Sequence, residues 1–365
     1  MDGGRNAETI MSKKKRIALV IPSLASGGAE RVMSLIANHI ANNALIEAHL
    51  ILFLKKDIDY EVSENVIIHH PKFLYSDYPV WLYLIKTYWF LRKRLRSIDP
   101  YSLLSFGGKY NSFVIASSRG LGIKTYISDR SKPGINYGFI QKLMNPLLYR
   151  FADGIIAQTE LAKTLAFKKT KNRNISVIPN PVKNFYNPNV IKRNIILNAG
   201  RFIRSKQQEL LISIFIEINP KDWVLEFVGD GEYLELCKKK VIESGFSDRI
   251  YFHGYQANVA PFYQHSKIFA FTSISEGFPN ALAEAMAAGC ACISFDCVAG
   301  PSDIIDDGEN GFLIEDGNTT NYKEKLEFLV RNDDVMRRFS EKAIVKLEKF
   351  EIGEICEKYM EIILA

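Results

Sequence analysis

Short apolar runs and amphipathic stretches alternate along nearly the whole chain. In the first half, strands are predicted for the runs IALVIPSL, HLILFLK, VIIHH, YSLLSF, TYISDR, GIIAQT and ISVIPNP. Helical periodicity is found in AERVMSLIANHIAN and near residues 110–119, 136–151 and 160–168. Because the two kinds of segment alternate, we expect a mostly parallel sheet with helices on both faces.

A turn-rich segment interrupts this pattern. Pro179-Asn180-Pro181 and the later run NFYNPNV contain the residues expected of a linker. The alternation then restarts, with strands predicted for NIILNAG, VLEFVGDG, IYFHGY, IFAFTS, CACISFD and GFLIED. Each half therefore predicts a doubly wound, Rossmann-like α/β domain. Since ligands bind beyond the carboxyl ends of parallel strands, we expect the two domains to face each other across a cleft.

The length of the chain also favours two domains. A chain of 365 residues is longer than one hydrophobic core normally organises. We place a disordered extension at residues 1–12, an N-terminal domain at 13–182 and a C-terminal domain at 183–350. The last helix, at 351–365, is expected to pack back on the N-terminal domain.

Composition narrows the functional classes. With 47% hydrophobic and 24% charged residues, the chain has an ordinary globular composition. Its net charge of +6 favours phosphorylated ligands or an anionic membrane surface, and no nucleic-acid partner is expected. The five cysteines form neither a CxxC pair nor a zinc-like cluster, so we expect no metal site and buried free thiols in a reducing compartment. No apolar run reaches the roughly 18 residues of a spanning helix.

The run EGFPNALAEAMAAG places two carboxylates, Glu276 and Glu284, on either side of a predicted helix start. Pro279 suits the first position of a helix, and the residues after it favour helix formation. The backbone N–H groups of Asn280 and Ala281 then lack intrahelical partners and, with the helix dipole, attract a phosphate. Carboxylates beside a phosphate site fit a nucleotide sugar, whose hydroxyls donate to them.

Cations and glycines at other strand ends fit the same ligand. Arg201 and Lys206 follow the apolar run NIILNAG, where their charges would neutralise a departing diphosphate. Gly27 and Gly28 follow the first strand, and because they lack Cβ atoms a phosphate or an acceptor can approach their backbone. A plain tight turn is the alternative for this pair. Gly229 lies in the turn GDGE, where it lines a nucleotide site or caps the next helix.

Five motifs, in this order, resemble the retaining glycosyltransferases of family four, which have two Rossmann-like domains in the GT-B fold. The motifs are GGAER at 27–31, PNP at 179–181, GRFIRSK at 200–206, GDGE at 229–232, and Glu276 with seven residues before Glu284, followed by DIIDDGENGFLI at 303–314. The resemblance covers nearly the whole chain.

This resemblance implies a role for each matching residue. The first glutamate, Glu276, contacts hydroxyls of the donor sugar, and the second, Glu284, holds the ribose. Arg201 and Lys206 match the Arg and Lys that bind the diphosphate, in place of the metal ion that other transferases use. The N-terminal domain takes the acceptor and the C-terminal domain the nucleotide sugar. No cofactor is expected besides this co-substrate, for which UDP is the expected nucleotide.

One position departs from the family pattern. Where many relatives have a histidine, this chain reads ISDRS at 127–131, which puts Arg130 in its place. An arginine cannot act as a base near neutral pH, so we expect Arg130 to make a charge contact to phosphate or acceptor. The alternative is a structural salt bridge between Asp129 and neighbours of Arg130.

Residues 78–100 combine aromatic and basic side chains, in the sequence YPVWLYLIKTYWFLRKRLRSIDP. Such a helix suits the headgroup region of an anionic membrane, where each cation contributes about 1 kcal/mol. The segment before the basic cluster is too short to cross a bilayer. The alternative is an amphipathic helix whose aromatic side packs on the first sheet.

Together these features predict transfer of a hexose or N-acetylhexosamine, with retention, from a UDP-linked sugar to a lipid-linked or surface saccharide. We expect the enzyme in the cytoplasm, peripherally on the inner face of the membrane. Two alternatives remain open: a nucleotide-sugar epimerase of the same fold, and a non-catalytic sugar-binding subunit.

Overall fold

The computed structural model describes residues 14–25, 27–54, 56–135 and 137–365. In these residues two parallel sheets are flanked by helices, which confirms the predicted α/β class. The extension predicted at residues 1–12 lies outside the described residues. Within them, no helix is both long enough and apolar enough to span a bilayer.

Contacts group the chain into two compact units. Unit 1 consists of the described residues up to Asp129, of Tyr137–Ile155 and of Cys356–Ala365. Unit 2 consists of the described residues from Arg130 to residue 135 and of Ile156–Ile355. The domain boundaries predicted from the sequence stay predictions.

The first sheet has the strand order β3-β2-β1-β4-β5-β6-β7. Its strands are β1 (Lys15–Ile21), β2 (Ile46–Leu52), β3 (Val66–His69), β4 (Ser102–Phe106), β5 (Lys124–Ser128), β6 (Gly154–Ala157) and β7 (Ile175–Val177). The pairs among β1 to β5 are all parallel, and Leu19 of β1 is opposite Leu50 and Leu104 on its two neighbours. β1 is buried on both faces from Ile17 onward, as expected of a central parallel strand that helices cover on both sides.

Five helices accompany these strands in the chain. They are α1 (Gly28–Ala41), α2 (Val80–Ile98), α3 (Asn111–Ser118), α4 (Phe139–Tyr149) and α5 (Glu160–Thr170). The helix predicted at 136–151 begins only at Phe139, because Gly138 has a φ of 114°, which no helix contains. α3 packs against both α2 and α4.

The second sheet, in unit 2, has six parallel strands in the order β10-β9-β8-β11-β12-β13. The strands are β8 (Arg193–Ala199), β9 (Val224–Val228), β10 (Ile250–Phe252), β11 (Ser266–Phe271), β12 (Ala291–Asp296) and β13 (Phe312–Glu315). The remaining helices are α6 (Gln208–Ile218), α7 (Leu234–Ser244), α8 (Ala260–His265), α9 (Asn280–Ala287), α10 (Pro301–Ile304), α11 (Thr319–Val330), α12 (Asp333–Glu348) and α13 (Ile352–Leu364).

Two local features position the site in unit 2. Helix α6 begins at Gln208, because Gln207 has a φ of 50° and separates it from a short 3-10 helix at Arg204–Lys206. α9 begins at Asn280, within the start predicted between Phe278 and Asn280. The apolar core fixes both elements, since Phe202 and Leu282 are fully buried.

The cysteines that the structure describes are all buried and unbridged, as predicted. Cys290 and Cys292 are fully buried at the start of β12. Burial raises the pKa of the Cys290 thiol, against the opposing charge of Lys192. These thiols are therefore held in the protonated, unreactive form.

Candidate functional site

The first side of the candidate site is the loop that follows β8. It carries Arg201, which is exposed, and Lys206, which is mostly buried. Gly200 begins the loop, and its N–H donates to the carbonyl of Val228 at 2.9 Å. The Nζ of Lys206 lies 3.9 Å from the position that a Cβ on Gly200 would occupy. The lysine ammonium is therefore folded back over the first residue of its own loop.

Two glycines of the GDGE turn let the neighbouring loop approach this one backbone to backbone. A Cβ on Gly229 would lie 2.0 Å from the carbonyl oxygen of Gly200, and a Cβ on Gly231 would lie 2.4 Å from that of Phe202. Both glycines also have positive φ, 140° and 152°. The two alternatives for Gly229 were a nucleotide contact and a helix cap. Close packing of the two loops requires glycine at this position by itself, and both roles stay predictions.

The central contact of the site joins Lys206 to Glu276. The Nζ of Lys206 lies 2.5 Å from Oε1 of Glu276, and the two side chains are only 19% and 13% exposed. Two hydrogen bonds hold the lysine segment: Thr272 Oγ1 donates to the carbonyl of Lys206 at 2.8 Å, and the N–H of Ile274 donates to that of Ser205 at 2.9 Å. The loop after β11 therefore supplies both the carboxylate and the support for its cationic partner.

The loop after β12 holds the segment of Glu276 from the other side. The N–H of Glu276 donates to the carbonyl of Val298 at 3.3 Å. The next residue, Ala299, is buried and has a φ of 68°, a left-handed conformation that is strained for alanine. A Cβ on Gly300 would lie 2.3 Å from Cδ of Pro279, so only glycine fits there.

Cys297 lies within the electrostatic reach of the same ion pair. Burial raises the pKa of its thiol to about 12, and the negative charges of Glu276 and Asp316 add to this, while Lys206 opposes it. The thiol is therefore a neutral, apolar neighbour of the pair near neutral pH.

At the start of α9, the structure corrects one prediction. The N–H of Asn280 donates to the carbonyl of Phe278 at 2.9 Å, so it is not an unpaired donor. The side chain of Asn280 is also engaged, since its Oδ1 accepts from Nδ2 of Asn180 at 2.8 Å. Ala281, the next position, is half-buried. Of the two backbone amides predicted to bind phosphate at this helix start, that of Asn280 therefore already has an acceptor.

Arg130 belongs to a polar network around Asn180. Nη2 of Arg130 donates to Oδ1 of Asn180, which also accepts from Nε2 of Gln158 at 2.8 Å. Gly277 contacts the same segment, because its Cβ would lie 2.9 Å from the carbonyl oxygen of Arg130. One N–H of the guanidinium is thus bonded to a side-chain amide, and the predicted charge contact of Arg130 to phosphate or acceptor stays a prediction. Asp129, for which a structural salt bridge was the alternative, accepts a hydrogen bond from Tyr137 through Oδ1 at 2.5 Å.

Asn180 lies in a motif that the sequence analysis singled out, but no role was predicted for its side chain. It is 3% exposed and joins Arg130, Gln158 and Asn280 through its amide group. The motif Pro-Asn-Pro was interpreted as a linker, because turn residues explain it by themselves. A buried amide between two prolines is the signal that could have identified it.

The surroundings of Glu284 differ from those of Glu276. It is 5% exposed on α9, and its Oε2 accepts from the hydroxyl of the fully buried Tyr263 at 3.2 Å. The first glutamate of the pair therefore borders a cation, and the second borders a phenol.

In unit 1, Gly27 and Gly28 begin α1 as predicted. The backbone of Gly27 is already bonded, since its N–H donates to the hydroxyl of Tyr60 at 2.9 Å and its carbonyl accepts from that hydroxyl at 2.8 Å. A Cβ on Gly27 would lie 2.2 Å from a carboxylate oxygen of Glu30, so a larger residue displaces that side chain. Gly28 is exposed.

Across the described part of the chain, no cluster of three or more His, Cys, Asp or Glu side chains has a geometry that could hold a metal ion.

With this geometry in place, comparison with known proteins shows which proteins the chain resembles. Residues 183–346 match the family of glycosyl transferases group 1. An uncharacterized glycosyltransferase of Haemophilus influenzae is 27% identical over 96% of this chain and 100% of that protein. The N-acetylgalactosamine-N,N'-diacetylbacillosaminyl-diphospho-undecaprenol 4-alpha-N-acetylgalactosaminyltransferase of Campylobacter jejuni is 25% identical over 96% of this chain and 100% of its own length.

Among solved structures, that of Anabaena HepE in complex with UDP and glucose has a similar fold. Its TM-score is 0.79 at 16% sequence identity, and the match covers 95% of this chain and 99% of HepE. The fold is therefore GT-B. Over nearly its whole length the chain is similar to glycosyltransferases, and its residues 183–346 are similar to the group 1 family.

Proposed function

We propose that this enzyme transfers a hexose or N-acetylhexosamine from a UDP-linked sugar to a hydroxyl of a lipid-linked or surface saccharide, with retention of configuration. The observation that carries the proposal is the Lys206–Glu276 ion pair, which unites a cation and a carboxylate at the carboxyl ends of β8 and β11. A carboxylate there accepts from sugar hydroxyls, and a cation beside it attracts a diphosphate.

The proposed chemistry needs charge stabilisation at the leaving group. As the bond between the anomeric carbon and the β-phosphate breaks, negative charge grows on the phosphate oxygens, where Arg201 and Lys206 stabilise it without a metal ion. The acceptor hydroxyl then attacks from the face that the diphosphate left, which retains the configuration. Its proton passes to a leaving phosphate oxygen, so the products are the glycosylated acceptor and UDP.

The remaining predicted residues receive supporting roles in this proposal. Glu276 contacts the donor sugar and Glu284 the ribose, with the latter turning from its Tyr263 contact when the nucleotide binds. Ala281 donates its N–H to the diphosphate, and the loop at Gly229 borders the nucleotide. Residues 13–182 serve as the acceptor domain and residues 183–350 as the nucleotide-sugar domain.

Names of similar proteins support the choice of substrates. The HepE structure contains UDP and glucose, and the relative from Campylobacter jejuni is named for transfer to a diphospho-undecaprenol saccharide. Both fit a nucleotide-sugar donor and a saccharide acceptor. They leave the sugar and the linkage open for this enzyme.

For the membrane, we propose that residues 78–100 contact an anionic lipid surface on the cytoplasmic side. In α2, Tyr83, Leu91 and Leu95 are buried, so one face packs inside unit 1 as the alternative interpretation requires. Trp81 and Trp89 are 64% and 59% exposed on the same helix, which leaves an aromatic face for lipid.

A donor panel tests the transfer. Purified enzyme is incubated with radiolabelled UDP-glucose, UDP-galactose and their N-acetylated forms, with and without a lipid extract, and the products are separated. We expect one donor to yield labelled lipid and UDP. A labelled isomer of the nucleotide sugar would instead identify an epimerase, and binding of a donor without any product would indicate a sugar-binding subunit.

A further inference from the structure

Helix α4, in unit 1, exposes apolar residues and buries polar ones. Phe139, Ile140, Leu143 and Leu147 are 83%, 68%, 63% and 44% exposed. On the opposite side of the helix, Asn145 is 1% exposed and Tyr149 is 6% exposed. A surface helix normally has the reverse arrangement, with its apolar side toward the core.

Hydrogen bonds fix α4 in this orientation. Asn145 Nδ2 donates to the carbonyl of Gly108 at 2.8 Å, and the hydroxyl of Tyr149 donates to the same carbonyl at 3.2 Å. Asn145 Oδ1 accepts from Ser112 Oγ at 2.5 Å. Rotating the helix to hide its apolar side would break all three bonds and take these partners from the buried Gly108 carbonyl and Ser112 hydroxyl, so the apolar side stays outward.

The charge around the apolar side has one sign. Lys142 and Arg150 of this segment are exposed, and so is Lys109, whose carbonyl accepts from Gln141 at 3.5 Å. No aspartate or glutamate occurs between residues 130 and 152. An apolar patch whose own segment supplies cations and no acidic residue complements an anionic lipid surface, in which the apolar side chains enter the acyl boundary and the cations meet headgroups.

The same combination recurs on α2. Trp81, Leu84, Ile85 and Trp89 are exposed there, and the sequence has no acidic residue between 79 and 98. α3 packs against both α2 and α4, so the two helices belong to one helical layer of unit 1. Two helices that both pack on α3, with exposed apolar residues and no acidic residue in their own segments, exceed the scattered apolar exposure that is normal for a soluble surface.

A second copy of the chain fits this face less well. In a symmetric dimer the face of α4 would meet itself, and the cations of one copy would then lie against the cations of the other. An anionic bilayer offers opposite charge together with an apolar interior.

We infer that α4 is a lipid-contacting helix, which inserts Phe139, Ile140, Leu143 and Leu147 into an anionic membrane surface. This goes beyond the contact proposed for residues 78–100, and it does not depend on which sugar is transferred. It assigns to α4 the shallow anchoring of unit 1, with α2 as a second contact.

Vesicle binding tests the inference. The full-length enzyme is mixed with vesicles of phosphatidylcholine alone or with added phosphatidylglycerol, and the bound fraction is measured by flotation. We expect the wild type to bind only the anionic vesicles, and F139S/L143S to bind them at least about tenfold more weakly, because two large side chains no longer insert. The matched control is I242S/V345S, which removes two residues that are 70% and 66% exposed in unit 2, and it should bind like the wild type.

Three results would overturn the inference. These are a wild type that ignores anionic vesicles, an F139S/L143S variant that binds them normally, and a variant that loses only self-association, which would identify a second copy as the occupant. Circular dichroism and UDP release without vesicles show that the variant is folded and active. If W81S/W89S weakens binding and F139S/L143S does not, the proposed role of α2 stands and that of α4 falls. A wild-type enzyme that releases no UDP would instead refute the proposed transfer.

Discussion

Among single residues, Lys206 and Glu276 determine how the site holds charge. Their side chains are mostly removed from water and lie 2.5 Å apart, so each has the other as its close polar partner in place of solvent. Removing one partner leaves the other charge with little solvation. The resulting loss of folding stability is larger than for an exposed ion pair. The site is therefore organised before a donor arrives.

Substitution of Glu276 by glutamine should weaken both stability and transfer. We expect the free energy of unfolding to fall by about 2 kcal/mol, because a buried ammonium loses its charged acceptor. Transfer should fall at least about a hundredfold, because the donor sugar loses its carboxylate contact and Lys206 loses its position. Urea unfolding and initial rates of UDP release measure the two effects.

A matched control for this substitution is Glu235→Gln. Glu235 pairs with Lys238 at 2.8 Å, but its side chain is 81% exposed. We expect a change of no more than about 0.5 kcal/mol and normal UDP release. Equal effects of the two substitutions would show that the Lys206–Glu276 pair has no special role.

Among the structural elements, the outer edge of the first sheet contains a pair of histidines whose contribution to folding stability depends on pH. His49 on β2 stacks on His69 on β3, with Nδ1 of His49 3.0 Å from Nε2 of His69, and Glu47 bonds the other nitrogen of His49 at 2.7 Å. Burial, followed by the charges of His49, Arg94 and His70, lowers the pKa of His69 from 6.5 to about 4.

The lowered pKa of His69 fixes the sign of the pH effect. The folded state binds a proton on His69 less tightly than the unfolded state does, so this contribution to stability is complete above about pH 6.5. As the pH falls from 6.5 to 4, the contribution is lost. We expect His69→Gln to unfold with a weaker pH dependence across that window, measured by urea unfolding at several pH values.

The control for this pH experiment is His265→Gln in unit 2. The ring of His265 lies 2.7 Å, through Nδ1, from the carbonyl of Pro261 in its own helix. This variant should retain the wild-type slope between pH 6.5 and 4. If His69→Gln retains that slope as well, the histidine pair does not control acid stability.

For the whole molecule, donor binding should appear as thermal stabilisation. A ligand that binds only the folded state adds about 2.7 kcal/mol to its stability at a hundred times its Kd. We expect saturating UDP to raise the Tm of the wild type by a few degrees, and Arg201→Ala to lose most of that increase, because the cation meets the diphosphate. Differential scanning fluorimetry measures both.

UMP separates the diphosphate contact from the rest of nucleotide binding. UMP lacks the second phosphate, so its smaller stabilisation should change little in Arg201→Ala. A variant that loses the UMP and UDP effects equally would place Arg201 elsewhere in the nucleotide site. A wild type with the same Tm with and without UDP would contradict the proposed donor.

Much of this architecture follows from the sequence by itself. Continuous apolar runs such as IALVIPSL are typical of strands buried on both faces, and the structure confirms them as central parallel strands such as β1. The start of α9 was also predicted, because Pro279 and the alanine-rich run after it define a helix start through local preferences. Glu276 and Lys206 are predicted as site residues from the residue types that follow the strands.

Only the tertiary structure decided which groups meet. It paired Lys206 with Glu276 across 70 residues of sequence, and it bonded the amide of Asn280, which local reasoning left unpaired. It also made Asn180 the centre of a network and turned the apolar side of α4 outward. Strand and helix preferences act within a few residues of sequence, whereas these contacts depend on the packing of distant segments, and no local pattern encodes that packing.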